Sequence, residues 1–202
     1  MGNDKINQYR GNGQSNPGQF GFQPHTNPGQ LGLSAAEVRP DQTYSAMDNE
    51  DLQAALGRGF QSIQIDTAGL FEAATERGVY ITCNDPQATL VLRGEGKGIA
   101  YAGQIEAYGQ TEVRGHGRSH VAVHDGASAN LYDHSVCTAD GETSVVAHEE
   151  NEVIAAGRSR IELRGRSHAV ASERADVLCY DEATADISGE ATCSRVDEAD
   201  RT

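Results

Sequence analysis

Residues 104–127 read Gln-Ile-Glu-Ala-Tyr-Gly-Gln-Thr, Glu-Val-Arg-Gly-His-Gly-Arg-Ser and His-Val-Ala-Val-His-Asp-Gly-Ala, three octads laid end to end. The same frame runs without an insertion to Ala199, twelve octads in all. Position two is apolar every time, from Ile105 and Val113 to Ala185 and Cys193. Position four is apolar or Gly except at Arg195, position six is always Gly, Asp or Glu, and position eight is always small. Alternation over positions two to five has the period of a short strand with its apolar side turned in. Gly or Asp at position six suits a turn conformation that most side chains resist. One such strand cannot bury its apolar face alone, so stacked copies must share a core. The chain is therefore read as an all-β solenoid.

Three octads per coil sort position six best. Gly117, Gly141, Gly165 and Gly189 then share one column, and Asp125, Glu149, Glu173 and Asp197 a second. Gly109, Asp133, Gly157 and Asp181 alternate in the third. This sorting predicts a three-sided β-solenoid of about 24 residues per coil and about five coils. Long coils with turn residues at their corners favour a right-handed sense. Residues 78–202 form this part.

Residues 46–77 read as a small α/β N-terminal cap of helix, strand and helix. Asp48 caps a helix through Leu52, Ala55 and Leu56, residues 60–65 alternate as a strand, and a second helix is expected over 68–77. Residues 1–45 are rich in Gly, Asn, Gln and Pro, and their six charges cancel. They have too few apolar residues to offset the entropy of ordering and read as a disordered tail. Within them Asn-Pro-Gly-Gln-Phe-Gly and Asn-Pro-Gly-Gln-Leu-Gly repeat, which makes Phe20 and Leu31 candidate docking anchors.

The whole chain has 202 residues, 5% aromatic and without Trp, which leaves little for stacking single-stranded nucleic acid. Sixteen basic against 30 acidic residues give a net charge of −14, so direct nucleic-acid or anionic-membrane binding is not expected. No apolar run reaches the roughly 18 residues of a membrane span, and no signal peptide opens the chain. A cytoplasmic protein follows, of a host cell or a virion.

Three constellations bear on function. In the 24-residue frame Tyr108, Tyr132 and Tyr180 share an outward column, and with His116, His124 and His148 they form a candidate binding face. His124 would stack on His148, and His116 on Asp140. The acidic column Asp125, Glu149, Glu173 and Asp197, thickened by Glu150 and Glu198, would crowd like charges about 4.8 Å apart. It could mimic a phosphate backbone, hold a divalent cation, or simply aid solubility. Cys137, Cys179 and Cys193 take inward positions as small hydrophobes, and their spacing with Cys83 is not that of a metal site. Catalytic residues, metal and cofactor are all expected to be none.

The x-Val-x-Ala-Tyr-Gly-x-Ser octads resemble octapeptide-repeat β-helix proteins of actinobacterial phages and mobile elements, and the Gly-Gln-Phe-Gly tail is similar to segments found with them. The resemblance implies a phage or mobile-element accessory protein. The expected function is a non-catalytic protein-interaction module with a partner that is basic or nucleic-acid-binding. The alternatives are a nucleic-acid mimic that inhibits a host defence or DNA-processing enzyme, and a structural, self-associating virion component.

Overall fold

The computed structural model describes residues 42–196. The tail anchors Phe20 and Leu31, and the acidic residues Asp197 and Glu198, lie outside the described residues. The chain opens with β1 (Thr43–Ala46), α1 (Asn49–Gly57), β2 (Ser62–Ile65), β3 (Gly69–Thr75), β4 (Tyr80–Cys83) and β5 (Ala88–Gly94). It continues with β6 (Lys97–Ala100), β7 (Gln104–Gly109), β8 (Glu112–Gly115), β9 (His120–Val123), β10 (Ser128–Leu131) and β11 (Val136–Ala139). Next come β12 (Ser144–Ala147), β13 (Glu152–Ala155), β14 (Arg160–Leu163), β15 (His168–Ala171), β16 (Asp176–Cys179), β17 (Thr184–Ile187) and β18 (Thr192–Arg195).

These strands form two parallel sheets. One has ten strands, β1 and then the even-numbered strands, and the other has eight, the odd-numbered strands from β3 to β17. The chain crosses from one sheet to the other after every strand from β2 onward, so each coil has two sides. The result is a β-solenoid of about ten coils, roughly 43 Å long at one strand spacing per coil.

The register corrects the three-sided, 24-residue, five-coil expectation. Glu112 opposes Ser128, Ser128 opposes Ser144, and His120 opposes Val136, each 16 residues on. Two octads therefore close a coil. Position-six columns are mixed in this register because their common requirement is a backbone conformation, not a side chain. Gly109, Gly117, Asp125, Asp133, Gly141 and Glu149 all have φ between +51° and +75°.

Through β16 the sequence pattern holds within each octad, whereas on β17 and β18 Ile187 and Cys193, expected inward, are exposed, because no further described strand covers them. Val113, Val121, Ala129, Cys137, Val145, Val153 and Ile161 are buried at position two, and Ala139, Ala147, Ala155, Leu163 and Ala171 at position four. Both sheets contribute to one continuous core. Position eight is buried from Thr111 to Ala183, and at some corners its hydroxyl caps the turn: Ser135 donates to the Tyr132 carbonyl at 2.9 Å and Ser159 to that of Ala156 at 2.8 Å.

At the N-terminal end, Asp48 caps α1 by accepting the Asp51 amide at 2.8 Å, and Leu52 and Ala55 are buried. Asn49 Oδ1 accepts the Glu72 amide and Gln53 donates to the Glu72 carbonyl, so the helix covers the backbone edge of β3. The second helix expected over 68–77 is instead strand β3. Phe71, Ala73 and Thr75 point inward in alternation, and seven register partners on β5 outweigh the helix propensity of Glu and Ala. β1 pairs in parallel with β2, so stacking begins at Thr43, inside the stretch read as a disordered tail, and β2 and β3 continue it through residues 46–77.

Candidate interaction surface

Each coil turns at two corners built from octad positions five to eight. The amide at position eight returns to the carbonyl at position five, as from Ser119 to His116 and from Ala183 to Tyr180. Position five therefore projects at the corner, and the 16-residue register stacks it on the same position one coil away.

At the corner that follows the ten-stranded sheet, Tyr101, His116, Tyr132 and His148 form an unbroken ring stack. Their successive centroids are 5.1, 4.8 and 5.0 Å apart, and the planes close from 23° to 10° to 1°. Arg164 follows, with its guanidinium 5.8 Å from the Tyr180 ring centroid. Offset ring pairs of this kind contribute about 0.5–1.5 kcal/mol each. Burial and the cationic Arg164 lower the His148 pKa below its ordinary value, against an opposing pull from Glu149 and Glu162.

At the other corner Arg93 lies 4.4 Å above the Tyr108 ring, Tyr108 stacks on His124 at 4.7 Å, and His124 Nδ1 meets Asp140 Oδ1 at 2.8 Å. Tyr108 and His124 are thus separated from Tyr132, Tyr180, His116 and His148, and the single Tyr column of a 24-residue coil does not form. Nor does His124 stack on His148, or His116 on Asp140. Tyr101, Arg93 and Arg164 also belong to these ladders. Their spacing of 15 or 16 residues from Tyr108, His116 and Tyr180 is the signal that finds them.

The acidic column is divided in the same way. Asp125 and Glu173 lie on the His124 corner with Gly141 and Gly157 between them, while Glu149 and Glu150 lie on the Tyr132 corner. Several of these carboxylates bind backbone one coil back. Asp133 accepts the Gly117 amide at 2.9 Å, Glu149 the Asp133 amide at 2.6 Å, and Glu173 the Gly157 amide at 3.0 Å. Glu150 sits between His134, at 3.1 Å, and Arg166.

Cys83 and Cys137 are fully buried, and burial pushes their thiols up to about 11 and about 12. Among the described residues no group of three or more His, Cys, Asp or Glu is placed to hold a metal ion. No helix there is long and apolar enough to cross a membrane. Compared with known protein families, curated proteins and solved structures, the chain matches none.

Proposed function

We propose that the chain is a non-catalytic protein-interaction module whose binding surface is the Tyr132 corner. The continuous stack from Tyr101 to His148, extended by Arg164 and Tyr180, carries this reading. Its ring faces are occupied by one another, so the row offers a partner its edges: phenol hydroxyls, imidazole nitrogens and a guanidinium. Stacking holds these side chains in place before binding, which reduces the entropy lost on association, and Tyr and Arg are residues on which binding energy concentrates. Asp133, Glu149, Glu150, Asp181 and Glu182 flank the row, and with the net charge of −14 they favour a basic protein partner.

The His124–Asp140 pair, which could serve acid–base chemistry, is stacked beneath Tyr108 and ties adjacent coils together. That placement favours the non-catalytic reading. The resemblance to phage and mobile-element octad proteins suggests an accessory role in a host cytoplasm or a virion. The solenoid is taken as right-handed, the sense of nearly all parallel crossover connections. Mimicry of nucleic acid is less favoured, because the single-file acidic column on which it depended is split between corners.

A comparative pull-down tests the reading. Wild type and a Tyr132→Ser, His148→Ser double variant are used as baits at low salt and at about 0.5 M salt, where screening acts within about 4 Å. The expected outcome is a protein retained by wild type, in part at high salt, and lost from the variant. Equal capture by both baits, or self-association with no other protein retained, would sink the proposal.

A further inference from the structure

The C-terminal end of the solenoid differs chemically from the N-terminal end. There α1 covers the edge of β3, whereas β17 and β18 are the last strands among the described residues and nearly all of their side chains are exposed. In this end lie two thiols that the ladders do not use. Cys179 is buried on the inner face of β16, Cys193 is exposed on β18, and their sulfurs are 3.5 Å apart. We propose that Cys179 and Cys193 form a reversible disulfide that moves and locks the last strand.

Register explains why such a bond would be a switch and not a permanent staple. Cys193 opposes Val177, and Cys179 opposes Arg195, so the thiols meet diagonally across neighbouring strands. Diagonal neighbours have Cα atoms about 7–8 Å apart, beyond the span of a relaxed disulfide. To reach a bond of about 2.05 Å the sulfurs must close by roughly 1.5 Å. β18 can supply that movement because β16 is its one strand partner among the described residues. Sliding it disturbs the contact of Arg195 with the Ala183 carbonyl, now 3.0 Å. A bond that holds such strain is readily reduced.

The chemistry requires a disulfide oxidant such as oxidised glutathione. The exposed Cys193 thiolate attacks it, forming a mixed disulfide and releasing one glutathione thiolate. The Cys179 thiolate then attacks Cys193 Sγ and expels the second. Two protein thiols are oxidised, one glutathione disulfide is reduced to two glutathiones, and the two protons lost from the cysteines pass to them. Burial, helped by the neighbouring Cys193 thiol, pushes the Cys179 thiol up to about 11. The second step therefore quickens as pH rises.

The test uses the full chain in oxidised–reduced glutathione mixtures, acid-quenched, alkylated and mapped by mass spectrometry. Two of the four cysteines should become unreactive to alkylation, with a loss of two hydrogens, no glutathione mass and a Cys179–Cys193 linkage. Excess reduced glutathione should reverse it. Cys179→Ser should stop at a glutathione adduct on Cys193, and Cys193→Ser should acquire none. Amide exchange over residues 184–195 should slow by about tenfold in the oxidised wild type. A wild type that stops at the Cys193 adduct or gives only a Cys193–Cys193 dimer overturns the disulfide, and unchanged exchange overturns the lock.

Discussion

The Glu149 carboxylate accepts the backbone amide of Asp133, one coil back, at 2.6 Å, while Asp133 accepts that of Gly117 at 2.9 Å. An acidic residue at position six thus does two things. It tolerates the left-handed conformation of the corner, and it satisfies an amide in the neighbouring coil. The negative charge along these corners is partly structural.

Substitutions at Asp133 separate the two roles. Asp133→Gly keeps the conformation and loses only the bond to Gly117, at about 1–2 kcal/mol. Asp133→Ala adds a left-handed penalty of about 1 kcal/mol or more at φ +61°. Asn tolerates the same conformation and can accept the amide, so Asp133→Asn should be the mildest. Urea midpoints should rank the variants Asn, Gly, Ala.

Glycine is needed more strictly at some corners than at others. A Cβ on Gly157, at φ +68°, would stand 2.6 Å from the Gly141 nitrogen. Gly157→Ala should therefore cost at least about 2 kcal/mol, as strain and displaced backbone add. At Gly117 the nearest atom would be 3.2 Å away, and Gly117→Asn should cost under about 1 kcal/mol. Thermal or urea unfolding decides between them.

His148 makes stability depend on pH in a known direction. Its pKa is lowered in the fold, so the unfolded chain takes up this proton at higher pH. Its contribution is complete above about 6.5 and is lost as pH falls from there through the lowered folded value. His148→Phe keeps a ring in the stack without the titration. Urea midpoints at about pH 7.5 and about pH 5.5 should therefore drop further for wild type than for the variant.

Deletions test the coil itself. Removing residues 136–151 excises β11 and β12, one whole coil, and brings Tyr132 into register with Arg164. A cooperative transition with a slightly smaller denaturant slope is expected. Removing residues 136–159 moves every later octad to the opposite sheet, breaking both ladders, and should lower stability more. The reverse order would favour a 24-residue coil.

Most of the solenoid was legible because burial in a strand has period two and the octads carry that period without interruption. The helix at Asp48 was legible from its cap. The segment 68–77 was not, because Glu72, Ala73 and Ala74 favour a helix locally and only β5 beside them makes a strand. The candidate site is legible by residue type at Tyr132, His116 and His148, but the neighbours of Tyr108 and His124 depend on the 16-residue register and are not. Sorting position six by side chain suggested three columns, although Gly, Asp and Glu meet the same backbone requirement there.

By itself the sequence determined which side chains point inward, where the chain turns, and that repeated short strands must share one core. Inward alternation and a left-handed corner are properties of a single octad, and each octad states them alone. How many octads close a coil is a relation between octads whose inward faces are nearly interchangeable. Only the tertiary structure decided it, through the amides and ring faces that meet 16 residues apart. That decision separated the acidic residues, divided the rings into two ladders, and brought Cys179 beside Cys193.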